Sequence, residues 1–275
     1  MFSFPQIMGI VNVTPDSFYD GGRYRAQSTA FEHALQLIRE GADIIDIGGE
    51  STRPGALPVS IQEECDRVLP LLEKLIQETA MPISVDTRHA VVMQEAIRLG
   101  ASIINDVAAL TQENALEVVS KHPVKVCLMH MQGLPETMQQ KPHYENILEE
   151  INAFFVERLQ ACEQAGLSRQ RIWLDPGFGF GKTLEHNLML LGNLSFFQTL
   201  GCPLLVGLSR KSMFGALLNR APEQRLPASL SAALIASLQG VACIRTHDVA
   251  ATRDALSVMK AVQPHCKETL SVRTA

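Results

Sequence analysis

The chain has 275 residues, enough for one large barrel domain or for two ordinary domains. Hydrophobic residues make up 46% and charged residues 19%, a composition that builds a core and excludes a disordered chain. The net charge of −5 excludes the basic surface of a typical nucleic-acid-binding protein. An anionic ligand must therefore be held by local arginine and lysine side chains.

The amino-terminal residues and the cysteines indicate a compartment. Residues 1–5 lack the charged and apolar regions of a signal peptide, and no apolar run approaches the roughly 18 residues needed to span a bilayer. The six cysteines lie far apart and form no CxxC pair, which is typical of reduced thiols. We therefore expect a cytoplasmic protein with no membrane partner.

Strands and helices are predicted to alternate along the whole chain. Eight apolar runs are predicted as strands, in chain order at 7–11, 44–47, 82–86, 102–106, 124–129, 172–174, 204–208 and 241–245. Each is a continuous apolar run, as expected for strands covered on both faces, and each is followed by a helical pattern. Eight such units without a linker favour an α/β fold, a parallel (β/α)8 TIM barrel, as a single domain over residues 1–275. A doubly wound open sheet is the alternative.

Helix ends are predicted from capping residues. Ser28 is predicted to cap the first helix, and Ser60 with Glu63 has the spacing of a capping box for the second. Pro70 lies inside that second helix and is expected to kink or split it.

The segment 172–182 combines a buried strand, an aspartate and a glycine-rich loop. Asp175 ends the strand, where a partly desolvated carboxylate needs a donor partner. Alternating glycines allow a close backbone approach, and Phe178 and Phe180 offer flat apolar faces. Glycine is missing where a phosphate-binding P-loop or a dinucleotide fingerprint requires it, so both are excluded. A helix-capping turn is the alternative for this segment taken alone.

Polar or charged side chains follow seven of the eight predicted strands. They are Asn12, Thr52, Arg53, Asp86, Asn105, Asp175, Lys211, Arg245, Thr246 and His247. The carboxyl ends of barrel strands form the active site, so these side chains are expected to converge. For any single residue a loop turn is an equal alternative, but convergence explains the whole set better.

One part of this set suits a flat heterocycle. Asp86, Asn105 and Asp175 offer acceptors for amidine-like N–H groups and ring nitrogens, and Asn105 also donates. Lys211 is expected to donate to a ring carbonyl or nitrogen, and Arg245 to stack its guanidinium plane on the ring.

The other part suits an anion. Arg53, Arg245 and His247 are cationic or become so on protonation. Asn12 is a neutral oxygen ligand of the kind that Mg²⁺ accepts when a substrate phosphate supplies further oxygens, although a loop turn explains it as well. The residues thus predict a barrel enzyme that binds a polar heterocycle beside an anionic group, without defining the ring or the reaction.

At these positions the chain resembles the dihydropteroate synthases, bacterial enzymes of the folate pathway. The matching motifs run in order across nearly the whole chain: MGIVNVTPDSF (8–18), DIGGESTRPG (46–55), SVDT (84–87), IND (104–106), MHMQG (129–133), DPGFGFGK (175–182), SRKS (209–212) and RTHD (245–248). The resemblance implies a transferase that condenses 6-hydroxymethyl-7,8-dihydropterin diphosphate with 4-aminobenzoate and releases diphosphate. It also implies a homodimer built on the late helices, with small molecules as substrates.

The resemblance further implies residue roles. The pterin would be held by Thr52, Asp86, Asn105, Asp175, Lys211 and Arg245. The diphosphate would be held by Asn12, Arg53, Arg245 and His247. The aminobenzoate pocket, where sulfonamides compete in this family, would comprise Thr52, Pro54, Phe180, Lys211 and Ser212. Lys211, Arg53 and His247 would be the catalytic residues, and Asn12 would bind Mg²⁺ as the cofactor.

Three other functions are alternatives. A methyltetrahydrofolate:corrinoid methyltransferase would share the acceptor set but would not need the motifs at 52–54 and 209–212. An aldolase would use Lys211 as a Schiff-base lysine. A catalytically silent pterin-binding paralogue would bind without turnover, and only an assay separates it from the synthase.

Overall fold

A computed structural model describes residues 4–13, 22–51, 58–133 and 137–266, with the backbone alone for 22–26. Eight parallel strands form one sheet: β1 (Gln6–Asn12), β2 (Ile44–Gly48), β3 (Ile83–Asp86), β4 (Ile103–Asp106), β5 (Lys125–Met129), β6 (Ile172–Asp175), β7 (Leu205–Gly207) and β8 (Cys243–Thr246). Hydrogen-bonded neighbours follow the order β6-β5-β4-β3-β2-β1-β8-β7.

The barrel closes between β6 and β7. Leu174 forms an isolated parallel bridge with Leu204, and its N–H donates to the carbonyl of Pro203 at 3.0 Å. The predicted (β/α)8 barrel is therefore confirmed, and the open-sheet alternative is wrong. A single domain over residues 1–275 stays a prediction, because both ends of the chain lie outside the described residues.

Helices surround the sheet. They are α1 (Gly22–Arg39), α2 (Ile61–Glu78), α3 (Ala90–Leu99), α4 (Ala115–Ser120), α5 (Ile147–Gln164), α6 (Leu184–Gly192), α7 (Ser212–Leu218), α8 (Leu226–Leu238) and α9 (Val249–Val262). Each strand is followed by one helix, except that β7 is followed by both α7 and α8. Within the described ranges, no helix is both long and apolar enough to cross a membrane.

The two predicted serine caps have different outcomes. α1 begins at Gly22, so Ser28 lies inside the helix and its prediction as a cap is wrong. Residues 23–27 are ordinary helix formers, and a serine inside a helix costs little, so the helix extends past the predicted start. The Ser60 hydroxyl does accept the N–H of Glu63, at 3.2 Å, while the Glu63 carboxylate pairs with Arg67 one turn later.

Pro70 does not split α2, which runs without interruption from residue 61 to residue 78. Proline has no N–H, so it cannot bond the carbonyl of Asp66 one turn earlier. The side-chain amide of Gln27, on α1, donates to that carbonyl at 3.3 Å. A neighbouring helix thus replaces a hydrogen bond that the sequence of α2 cannot make.

The core has two parts because alternate residues of a strand face opposite sides of the sheet. The larger part lies between the sheet and the helices. The smaller part fills the barrel interior and comprises Met8, Ile44, Ile103, Cys127, Trp173, Leu205 and Cys243. Two residues further along four of these strands, the apolar side chains give way to a polar layer of Asp46, Asn105, Asp175 and Arg245. The barrel is therefore apolar inside at its amino end and polar at its carboxyl end.

Candidate active site

Arg245, on β8, lies between two carboxylates. Its Nε donates to Asp46 Oδ2 at 2.6 Å, and its Nη2 donates to Asp86 Oδ2 at 2.7 Å. Asn105 Nδ2 also donates to Asp46 Oδ2, at 3.3 Å. Burial opposes the charge of Arg245, but Asp46 and Asp86 outweigh it and raise the pKa of the guanidinium above its ordinary value. The guanidinium plane is therefore charged and fixed on two sides.

Asp86 ends β3 at the mouth of the barrel. Burial raises the pKa of its carboxyl to about 7, with Asp46 acting in the same direction, although Arg245 favours the charged form. Two carboxylates thus share one guanidinium, and Asp86 is the more exposed of the two.

Asp175 ends β6 at the start of the glycine-rich loop. Its Oδ1 accepts the N–H of Gly177 at 2.8 Å, so one carboxylate oxygen does serve the local turn. Burial raises the pKa of Asp175, while the Gly177 N–H, Lys211 and Arg245 oppose that rise. The capping interpretation therefore explains the contact of one Asp175 oxygen. It does not explain why the Asp175 carboxylate lies near two cations of the site, Lys211 and Arg245.

Lys211 enters the site from the loop after β7. Its Nζ lies 4.3 Å from the centre of the Phe180 ring, a cation–π arrangement that joins the loops after β6 and β7. Burial lowers the pKa of Lys211 to about 8, and the negative charge of Asp175 opposes this. Ser212 follows as the exposed first residue of α7.

The loops after β7 and β8 are tied to each other. The Ser209 hydroxyl accepts the backbone N–H of His247 at 3.2 Å and lies 3.1 Å from His247 Nδ1. Arg210 donates to both carboxylate oxygens of Asp248, at 3.0 and 2.6 Å. These contacts fix the backbone that carries Lys211 and His247.

Asn12, at the end of β1, and Asp86 face a common space above Gly48. A Cβ on Gly48 would lie 3.7 Å from Asn12 Oδ1 and 3.8 Å from Asp86 Oδ2. Both oxygens border the space left by the absent side chain, and Asp86 Oδ2 also accepts from Arg245 Nη2. Oxygen ligands of this kind suit Mg²⁺, which typically binds one or two protein groups together with substrate phosphates. Among the residues described, no group of three or more His, Cys, Asp or Glu side chains is placed to hold a metal.

The structure brings the predicted residues together in two groups. Arg245 and Asn105 both donate to Asp46, and Arg245 also donates to Asp86, while Lys211 lies against Phe180. The remaining described residues lie at the ends of β1, β6 and β8, at the start of α7 and in the loop after β8; they are Asn12, Asp175, Thr246, Ser212 and His247. Thr52, Arg53 and Pro54 lie outside the described residues.

Asp46 belongs to this arrangement and was missed as a site residue. It is fully buried in the middle of β2, between Ile45 and Ile47, and not at a strand end. Its Oδ1 is buried without a hydrogen-bond partner among the described residues. The available signal was a charge inside an apolar strand, since a buried carboxylate requires a cation or donors nearby.

The sequence matches a known protein family over most of its length. The model of the pterin binding enzyme family matches residues 8–247. The chain is 51% identical over 259 residues to the dihydropteroate synthase of Escherichia coli (strain K12), covering 94% of this chain and 92% of that one.

Two solved structures of the Xanthomonas albilineans dihydropteroate synthase are similar in sequence and fold. The one with 4-aminobenzoic acid has a TM-score of 0.90 and 50% identity, and covers 94% of this chain and 93% of that one. The one in complex with 7,8-dihydropteroate has a TM-score of 0.87 and 47% identity, and covers 96% and 95%. The chain therefore belongs to the pterin-binding enzyme family and, within it, to the dihydropteroate synthases.

Proposed function

We propose that the protein condenses 6-hydroxymethyl-7,8-dihydropterin diphosphate with 4-aminobenzoate, giving 7,8-dihydropteroate and diphosphate, in the cytoplasm. Relatives of known structure bind 4-aminobenzoic acid and 7,8-dihydropteroate. The observation on this chain that carries the proposal is the Arg245 guanidinium held between Asp46 and Asp86. It places a fixed cation and ring-binding acceptors at one end of the barrel.

The pterin lies among Asp86, Asn105, Asp175 and Lys211, with Arg245 stacked on its face. The carboxylates accept from the N–H groups of the ring, and a guanidine-like edge against a carboxylate makes a charge-assisted contact. Lys211 donates to a ring carbonyl or nitrogen. Because Arg245 is already held in plane, little entropy is lost when the ring stacks on it. Thr52 completes this set in the proposal.

The reaction is a substitution at the methylene carbon of the pterin. The C–O bond breaks with its electron pair leaving on the diphosphate, and the positive charge left behind is stabilised by Asp86 and Asp175. Arg53, Arg245 and His247 hold the departing diphosphate. The aminobenzoate nitrogen then forms the C–N bond and releases a proton, which needs no strong base because a protonated arylamine is acidic. Catalysis arises from positioning and electrostatics.

Mg²⁺ is proposed as the cofactor, with Asn12 as its protein ligand. The position of Asn12 Oδ1 beside Gly48 at the barrel mouth supports this, since an amide oxygen can bind a hard cation. When bound, Mg²⁺ neutralises charge on the diphosphate. In this proposal Asn12, through the metal, and Arg53 would act on the same leaving group.

The aminobenzoate pocket is proposed to comprise Thr52, Pro54, Phe180, Lys211 and Ser212. The Phe180 ring is partly exposed and lies against the Lys211 ammonium. An apolar ring beside a cation matches an aromatic carboxylate, and sulfonamides are expected to compete for the same place.

A homodimer is proposed through α6, α7 and α8. Neighbouring helices of this group expose large apolar side chains: Leu188, Met189, Leu217, Leu218, Ile235 and Leu238. A contiguous exposed apolar surface marks an interaction site more often than isolated apolar residues do. A second copy of the chain is the proposed occupant.

Isotope incorporation tests the proposed function. Purified protein is incubated with Mg²⁺, the pterin diphosphate and ¹³C-labelled 4-aminobenzoate, and the product is identified by mass spectrometry. We expect labelled 7,8-dihydropteroate, suppressed competitively by a sulfonamide and absent with Lys211→Ala. Pterin binding without any labelled product would instead indicate a catalytically silent paralogue.

A further inference from the structure

The backbones of the loops after β5 and β6 lie in close contact. Gly177 and Gly181 have φ angles of +72° and +63°, which favour glycine. A Cβ would lie 1.9 Å from the His130 carbonyl oxygen if added to Gly177, and 2.3 Å from the Gln132 carbonyl oxygen if added to Gly181. A side chain on either glycine would therefore force the two loops apart.

Lys182 lies at the junction of these loops and is 3% exposed. Its Nζ is 3.0 Å from His130 Nδ1, 3.4 Å from the His130 carbonyl oxygen and 3.0 Å from the Phe180 carbonyl oxygen. In its protonated form the Lys182 amine has three protons, one for each of these acceptors. Burial, together with the charge of Lys182, lowers the pKa of His130 to about 2, so its neutral ring accepts.

This lysine is costly to bury. Within the described part of the chain, no carboxylate lies at salt-bridge distance from it, and burial lowers the pKa of Lys182 to about 7. A neutral side chain would fill the same space without that penalty. Compared with a neutral side chain of similar size, the Lys182 ammonium contributes three directed hydrogen bonds.

Those bonds act on the backbone of Phe180. Lys182 holds the Phe180 carbonyl from the buried side, and the Phe180 N–H donates to the Gly177 carbonyl at 3.1 Å. Beyond this fixed backbone, the Phe180 ring lies 4.3 Å from Lys211 Nζ. A buried lysine and a lysine of the site are thus connected through one aromatic residue.

We propose that Lys182, held by His130, is a positioning residue for the aminobenzoate side of the site. It fixes the backbone of Phe180, and with it the ring that faces Lys211. The inference rests on the proposed function, because the aminobenzoate pocket is itself part of that proposal. It requires that loss of the Lys182 bonds weakens aminobenzoate binding and leaves pterin binding unchanged, a split that a general loss of structure does not produce.

Steady-state kinetics of Lys182→Met test this. Methionine fills similar space without donating. We expect the KM for 4-aminobenzoate to rise about tenfold, as for loss of a hydrogen bond from a charged group, and the KM for the pterin diphosphate to change less than about twofold. Gln139→Ala is the control, since Gln139 donates to the Gly179 carbonyl of the same loop from the exposed side. It is expected to leave both KM values unchanged.

A second pair of variants covers the case in which Lys182→Met does not fold. His130→Leu removes the acceptor of Lys182 and should raise the same KM, whereas His130→Gln keeps an acceptor and should restore it. Equal changes for both substrates, no change for either, or an equal effect of Gln139→Ala would overturn the inference. If the wild-type protein formed no product that depends on aminobenzoate, the proposed function itself would be wrong. That result is distinguishable from an active enzyme in which the KM values for both substrates change equally.

Discussion

At the scale of single residues, Arg245 depends on Asp46, a carboxylate that is fully buried. Asp46→Asn removes the charge that meets Arg245 Nε and leaves Asp86 as the remaining carboxylate partner. We expect kcat/KM to fall by about 10- to 100-fold, because a hydrogen bond between buried charges is lost and the guanidinium is no longer fixed on both sides. Steady-state kinetics of purified variants measure this.

The matched control is Asp43→Asn. Asp43 pairs with Arg253 at 2.6 Å, but both side chains are more than one-third exposed, so the pair contributes little. Its kcat/KM should equal that of the wild type. An Asp46→Asn enzyme as active as the Asp43→Asn enzyme would contradict the role given to Asp46.

His130 makes folding sensitive to acid. Its pKa is about 2 in the folded protein and 6.5 when solvated, so below pH 6.5 the unfolded chain binds a proton that the folded chain does not. Stability is therefore lost as the pH falls through 6.5, by about 2 kcal/mol at pH 5. His130→Gln keeps an acceptor for Lys182 but does not titrate, so between pH 7.5 and 5 it should lose about 2 kcal/mol less than the wild type.

Urea denaturation at the two pH values gives this difference directly. His143→Gln, at an exposed position, is the control and should follow the wild type. Equal losses for wild type and His130→Gln would show that the buried imidazole does not control the acid response.

Residues of the site at the ends of strands could be predicted from the sequence, whereas residues that support the site from inside a strand or from between two loops could not. Asp86, Asn105 and Asp175 were predictable because barrel topology alone brings strand ends together. Asp46 and Lys182 were not assigned roles, because what they do depends on contacts made across the barrel or between loops. Those contacts exist only once Arg245 or His130 has been placed by other elements.

At the scale of elements, the loop after β6 is defined by a backbone contact. Gly177 and Gly166 have similar φ angles, +72° and +81°, but only Gly177 lies against another loop. Gly166→Ala should cost about 1 kcal/mol of stability, from backbone strain alone. Gly177→Ala adds a clash with the His130 carbonyl, so we expect a loss of about 3 kcal/mol or more, together with most of the activity.

Denaturation curves and kcat/KM for the two variants separate strain from contact. Similar losses of stability, with activity retained in both, would mean that the two loops can move apart without consequence. That outcome would also weaken the inference about Lys182, which depends on the same contact.

The ends of strands and the course of helices were not equally predictable from sequence patterns. The predicted strands agree closely with the observed ones because both faces of each strand are buried. The predicted start of α1, at Ser28, was wrong, since no strong helix-start signal precedes Ser28. The effect of Pro70 depended on Gln27 of another helix, a tertiary contact that α2 alone does not predict.

At the scale of the whole molecule, the fold was predictable because it repeats one unit eight times, whereas assembly depends on the exposed surface. Leu238, on α8, is 54% exposed within the proposed interface. Leu238→Glu should shift the protein from dimer toward monomer, because an unpaired charge would be buried between the copies. Sedimentation velocity over a range of concentrations measures this.

Val258→Glu on α9 is the control, since Val258 is 64% exposed but lies outside the α6–α8 surface. It should sediment like the wild type. A wild-type monomer at every concentration, or dissociation by Val258→Glu and not by Leu238→Glu, would contradict the proposed interface.

Release of pyrophosphate is the most direct measure of the proposed condensation. The protein is given the dihydropterin diphosphate with and without 4-aminobenzoate and Mg²⁺, and pyrophosphate is followed continuously. We expect release that requires both additions and is lost with Asp175→Asn, because the proposed role of Asp175 is to stabilise the charge left on the pterin. Release that is independent of 4-aminobenzoate, or no release despite tight pterin binding, would contradict it.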